Sequence, residues 1–167
     1  MRYLTSGKLF AFPNPVNEKA ARTVAGVVFV TSIATLASSW YWLLVPLAYG
    51  FVARTLTGPT LSPLGRLASS YVAPRLGPSK PVPGPPKRFA QAMGATMTTA
   101  AAILALAAGQ GGIADGLLVA MILASGLESL FAYCVGCKIF GLLMRAGVVP
   151  AEICAECADI WSRPRSA

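Results

Sequence analysis

The chain has 167 residues, 55% of them apolar and only 12% charged, with a formal net charge of +8 and no histidine. A soluble domain carries about 25% charged residues, so this is the composition of an integral membrane protein, of a length that fits one domain. The missing histidine excludes histidine-based triads, histidine-ligated haem and mixed Cys/His zinc sites, and the positive charge reads as membrane topology rather than nucleic-acid binding.

Residues 1–19 are a polar and aromatic lead-in without the leading apolar core of a secretory signal peptide. Pro13, Asn14 and Pro15 predict a turn, and Phe10 and Phe12 suit the membrane interface. Asn17 suits a helix N-cap, with Glu18 in the first turn that follows.

Residues 23–53 contain no charge. As one helix they would run about 46 Å, too long for a hydrocarbon core of about 30 Å. Ser38 and Ser39 give a weak turn signal before the aromatic belt Trp40, Tyr41 and Trp42. Two spans are expected, about 17–37 and 40–56, with Pro46 kinking the second.

Residues 57–88 read as a basic, proline-rich loop. Leu64, Leu67, Tyr71 and Val72 share one helical face, which suggests a short interfacial helix; an extended loop is the alternative. A third span is expected at 89–108, rich in the small residues that let helices pack closely in lipid. Gly109 to Gly112 make a turn, and a fourth span is expected at 113–137. The tail 138–167 continues helically to Arg145, with Gly147 at the C-cap and Pro150 opening a further short helix.

Four spans put all 14 Lys and Arg residues on one side and leave Asp115 on the other. The positive-inside rule makes the basic side cytoplasmic, with both termini there, in the inner membrane. A single span over 23–53 would split the basic residues between the two faces. The expected fold class is therefore all-α: a polytopic membrane protein of four transmembrane helices as two hairpins, plus a short cytoplasmic C-terminal helix.

All four cysteines lie in one stretch, Cys134, Cys137, Cys154 and Cys157, in the pattern C-x2-C-x16-C-x2-C. Two cysteines three apart share a helix face, and two such pairs brought together by a hairpin suit a tetrahedral ion, zinc before iron. A second reading is redox, one pair a reactive dithiol and the other resolving it, because C-x-x-C at a helix N-terminus lowers a thiol pKa. A third takes the cysteines as small buried hydrophobes. On the cytoplasmic side thiols stay reduced, so a permanent disulfide is not expected.

Glu128 is the charged residue well inside a span, six residues before Cys134 and so about 9 Å deeper along a helix. Carboxylates at that depth are functional candidates. Gln91, Thr96 and Arg88 are its candidate partners, for proton or substrate contact or for a structural hydrogen bond between the third and fourth helices.

The run PKRFAQAMG, the helix ending FAYCVGCKIFGLLMRAGVVP, the CAEC that follows and the leading FPNPVNEKAAR resemble a family of small bacterial membrane proteins catalogued as domain of unknown function 4395. The matching positions are Arg88, Gln91, Cys134, Gly136 and Cys137, with Cys154 and Cys157 matching members that carry a second pair. The resemblance covers nearly the whole chain and implies a four-helix membrane protein of no established activity, in a thioredoxin-like or sulfur-related setting.

The leading functional expectation is a structural or accessory subunit of a membrane assembly whose four cysteines hold zinc. The alternative is a membrane thiol or sulfur-relay component, with Cys134 and Cys137 working on a cytosolic thioredoxin-like partner. A weaker reading is transport past Glu128, which would need oligomerisation through the small-residue faces. The bilayer and a protein partner are the expected contacts, and nucleic acid is not.

Overall fold

Asn17 begins the first long helix as its sequence indicates. Its side-chain oxygen accepts a hydrogen bond from the Lys19 amide at 3.0 Å, and Glu18 sits at the positive end of α1, Glu18–Ser38. In this computed structural model, which describes residues 12–154, α1 stops where Ser39 turns left-handed at φ 53°. A 3₁₀ turn, Tyr41–Leu43, then leads into α2, Leu44–Thr57.

Pro46 was expected to kink the second span. It lies instead in the first turn of α2, where a missing N–H leaves no helical bond unmade, and the helix starts later than 40. At 14 residues α2 is about 21 Å long, short of a 30 Å hydrocarbon core.

The basic loop is partly helical. α3, Pro63–Leu67, passes through a π-helical turn at Ala68–Val72 into α4, Ala73–Arg75. Leu67 and Tyr71 lie exposed on this segment, while Ala68 and Ala73 are buried against the bundle. A two-residue strand pair, β1 (Val16–Asn17) with β2 (Pro81–Val82), closes the loop. Asn14 reinforces it by accepting from the Gly84 amide at 2.9 Å.

The third long helix, α5, is Gly84–Leu106, five residues earlier than expected at its start. Pro85 and Pro86 read as breakers in the sequence. They occupy the first turn of α5, which tolerates proline. α6 is Gly111–Phe131.

The fourth span was expected to run to residue 137. It ends at Phe131, because Ala132 adopts φ 56° and Cys134 begins a separate helix, α7, Val135–Arg145. Gly147, at φ 72°, ends α7 as expected. A 3₁₀ turn, Ala151–Cys154, follows Pro150, and the rest of the short helix expected there lies outside the described residues.

The chain is mostly helical, and among the described residues three helices, α1, α5 and α6, are long and apolar enough to cross a membrane. Their outer faces carry exposed Val30, Ile103, Leu123 and Leu130, as lipid-facing surfaces do. α1 packs along α6, α2 along α5, and α5 along α6, whereas α1 and α2 barely touch. Each pair is antiparallel: Phe51 and Thr55 of α2 meet Gly94 and Arg88 of α5, and Phe29 of α1 meets Gly126 of α6. The basic loop, α7 and the start of α1 therefore share one end of the bundle. At the other end, the Tyr41 hydroxyl donates to Asp115 at 2.9 Å.

Close packing depends on glycine at several contacts, two of them at α5. A Cβ at Gly94 would lie 2.3 Å from the Phe51 ring, and one at Gly136 would lie 2.7 Å from the Ala90 Cα. Gly94→Ala should therefore lower the thermal midpoint in detergent by the equivalent of about 1–3 kcal/mol of overpacking. Gly112→Ala, whose Cβ would meet nothing within 4 Å, should not.

Candidate functional site

The thiol end of the bundle is built by a chain reversal. Arg22 of α1 donates from Nε and Nη2 to the Ser129 carbonyl, at 3.1 and 2.9 Å, and from Nη2 to Leu130 at 3.3 Å. A cation there complements the negative C-terminal end of α6 and occupies carbonyls the helix cannot bond itself. The chain turns at Ala132, and Gly136 lets the first turn of α7 press onto Ala90 of α5. Cys134 is the N-cap residue of α7, with extended backbone.

Cys134 is buried and Cys137 half-buried, and both are free thiols. The Cys137 thiol faces the Cys134 sulfur, and the Cys137 amide supports it more weakly without closing a formal cap hydrogen bond. That thiol contact, above all, holds the Cys134 pKa below the usual thiol range. Burial and the Glu128 carboxylate work against the shift, and the Lys87 ammonium assists it. The same contact, together with burial and the neighbouring Cys134 charge, pushes Cys137 far up. The pair is thus asymmetric, with ionisation favoured at Cys134 and opposed at Cys137.

Glu128 does not pair with any partner the sequence suggested. Its Oε1 accepts from the Lys87 ammonium at 2.5 Å, in an ion pair between α5 and α6 whose side chains are 10% and 16% exposed. Lys87 was assigned to the loop and missed; a helix start at Gly84 would have placed it one turn inside α5. Gln91 instead accepts from Arg54 Nε at 2.8 Å, Arg88 donates to the Thr55 carbonyl at 3.0 Å, and the Thr96 hydroxyl donates to Ala92 within its own helix. Arg54 is a second residue that sequence reasoning missed. It is buried, stacked 4.7 Å from the centre of the Phe51 ring, and its Nη1 donates to Ser62 at 3.3 Å.

A narrow cavity of about 80 Å³ joins these groups, running from Cys134, Glu128 and Gln91 into the bundle between Val28, Met97 and Met121. Cys154 is buried and disulfide-bonded, where reduced thiols were expected at this end of the bundle, and Cys157 lies outside the described residues. Among the described residues no three Cys, Asp or Glu side chains gather to hold a metal ion. They offer a zinc ion the Cys134 and Cys137 thiols, half of a closed four-thiolate set.

The model of one protein family, described as a domain of unknown function (DUF4395), matches residues 16–145. That range includes α1 to α7, the Lys87–Glu128 pair and the first C-x-x-C. No curated protein and no solved structure matches the chain.

Two outcomes are expected from this geometry. Removing one partner of the ion pair, as in Glu128→Leu, should cost about 3–5 kcal/mol, while Lys87→Met combined with Glu128→Leu should recover most of it; thermal unfolding in detergent reads both. The pH profile of iodoacetamide modification, followed residue by residue by mass spectrometry, should place the Cys134 midpoint below that of an ordinary thiol and Cys137 above it. Glu128→Gln should move the Cys134 midpoint lower still, because the carboxylate opposes the thiolate. A Cys134 midpoint at or above the ordinary value would refute this account of the site.

Proposed function

The chain belongs to the DUF4395 family, and within it we propose that its chemistry is thiol–disulfide exchange by Cys134 and Cys137 at one face of a multi-pass membrane protein. The carrying observation is the placement of the pair: both thiols are free, Cys134 is the N-cap of α7, and the Cys137 thiol faces it from the first turn, an arrangement that favours ionisation of Cys134 over Cys137. A thiolate attacks a disulfide and a thiol does not, so this arrangement supports a defined order of steps.

Cys134 attacks one sulfur of a partner's disulfide, forming a mixed disulfide and expelling the partner's other sulfur as a thiolate. With its charge consumed, Cys134 no longer raises the Cys137 pKa. Cys137 passes its proton to the departing thiolate and attacks the Cys134 sulfur. The Cys134–Cys137 disulfide forms, the partner's second thiolate leaves and takes up a proton from water, and two electrons have moved to the partner. The reverse sequence oxidises a partner dithiol.

On this reading the basic end faces the cytoplasm, since that end carries Arg54, Arg66, Arg75, Lys80 and Arg88. The partner is then a cytosolic protein with a thioredoxin-like dithiol. α2 and the 3₁₀ turn before it complete the fourth crossing, in a locally thinned bilayer.

The test uses the full chain in detergent, equilibrated across dithiothreitol redox buffers and analysed by mass spectrometry after thiol trapping. Reversible formation of a Cys134–Cys137 disulfide, lost in Cys134→Ser and in Cys137→Ser while each variant keeps its fold, is the expected result. In a glutathione buffer, Cys137→Ser should in addition accumulate a glutathione mixed disulfide at Cys134. About one zinc per chain with Cys134 and Cys137 unreactive would overturn the reading and support a closed four-cysteine metal site.

A further inference from the structure

A second groove opens at the thiol end of the bundle, apart from the cavity that Cys134 lines. Its volume is about 470 Å³, and its walls include Phe12, Thr55, Arg88, Phe89, Phe140 and Ile153. That is the size range of pockets that bury a small ligand, roughly 300–1,000 Å³. Phe89 and Phe140 stack at 5.6 Å between ring centres and form a firm apolar side.

Arg88 is the cation of this groove. Its Nε is held on the Thr55 carbonyl at 3.0 Å, so one of its five donors fixes the guanidinium in the wall. The neighbouring charges are already neutralised or buried: Lys87 is paired with Glu128, and Arg54 lies within the bundle on Gln91 and Ser62. Among the described residues, no Asp or Glu lines the groove.

The vertical arrangement matters most. Arg88 stands in the first turns of α5, at the positive end of the helix. From Phe89 to Leu106 the helix contains no charged residue. Ala92, also in the groove wall, is four residues further along and so about 6 Å deeper than Arg88. A fixed cation near the surface end of an apolar helix, with an aromatic wall beside it and apolar Ala92 deeper in, has the polarity profile of a phospholipid: phosphate above, acyl chain beneath.

We propose that this groove binds one anionic phospholipid, with its phosphate on Arg88 and an acyl chain along Phe89, Ala92 and Phe140. A zwitterionic lipid would bring its own cation to an end of the protein that is already strongly basic. Free phosphate shares the headgroup chemistry but leaves the apolar wall uncovered. A bound lipid also braces α7 against α5, because Phe140 lies one helical turn beyond Cys137.

The full chain, purified in detergent, is titrated with phosphatidylglycerol, phosphatidylcholine or inorganic phosphate and examined by native mass spectrometry. One phosphatidylglycerol per chain should be retained, preferred over phosphatidylcholine by roughly fivefold, as for one basic contact with an anionic lipid. Arg88→Gln should abolish the preference. Ala92→Trp, which fills the groove below an intact Arg88, should reduce retention of the lipid even if Arg88→Gln fails to fold. Equal retention of the two lipids, or retention indifferent to Ala92→Trp, would overturn the proposal. Displacement of the lipid by inorganic phosphate at millimolar concentration would also overturn it and leave a phosphate site instead.

Discussion

A carboxylate among apolar helices has to be neutralised, and much of this molecule follows from how Glu128 is neutralised. An unpaired ion taken out of water costs several kcal/mol, and only a close partner offsets it. Lys87 supplies that partner across the α5–α6 interface at 2.5 Å. Because the two ends of the pair come from different helices, the contact fixes their register as well as their charge. The same level of the bundle carries Arg22 on the last carbonyls of α6, Arg54 on Gln91, and Arg88 on the last turn of α2. Each links two helices, so α1 to α6 and α2 to α5 are registered at one end by charge-assisted hydrogen bonds. Between that end and Tyr41–Asp115 at the other, packing is mostly apolar and several hydroxyls turn inward on their own helices, although the buried Ser32 hydroxyl has no such partner. Thr98 donates to Gly94 at 2.7 Å and Ser125 to Met121 at 2.6 Å, which satisfies polar groups where water is excluded.

That polar layer also makes the thiol site. Arg22 occupies the carbonyls at the end of α6, and the chain departs at Ala132 rather than continuing the helix. The departure brings the N-terminus of α7 back over the Lys87–Glu128 pair. The pair acts on Cys134 with opposite signs, Lys87 favouring the thiolate and Glu128 opposing it. Of these two influences Glu128 is the larger, and the local contact with Cys137 outweighs it. The division of labour is physical: the ion pair holds the helices, and the C-x-x-C spacing tunes the sulfur.

The sequence carried the first of these layers better than the second. Asn17 and Gly147 were legible as caps because their chemistry is local. Glu128 was legible as a buried carboxylate because nothing charged surrounds it in the chain. Its partner was not, since Pro85 and Pro86 look like the end of a loop when they are the first turn of a helix, and this hid Lys87 one turn inside α5. The break between α6 and α7 had no local signal either. No glycine or proline lies between Leu127 and Val135, and an alanine at positive φ is tolerated there because a distant arginine holds the carbonyls before it. Helix pairing was only half legible: the consecutive helices α5 and α6 do pack together and are registered by Lys87–Glu128, whereas α1 packs on α6 and α2 on α5 rather than on each other.

The burial of Cys134 constrains how a dithiol here can work. Its side of the pair faces the 80 Å³ cavity rather than solvent. An engineered apolar cavity that takes benzene measures about 150 Å³, so no ring-sized molecule reaches the sulfur through the bundle as it stands. A partner's disulfide must come from the surface, and Cys134 meets it only if α7 lifts. α7 is suited to that motion. It is 11 residues long, rests chiefly on α5 through Gly136 and Phe140, and touches α6 little. Short elements with few buried contacts open at low free energy while the long helices stay folded. On the proposed reading, then, the energy that gates exchange lies in the contact of α7 with α5, and whatever occupies the groove beside Phe140 sets how readily Cys134 is presented.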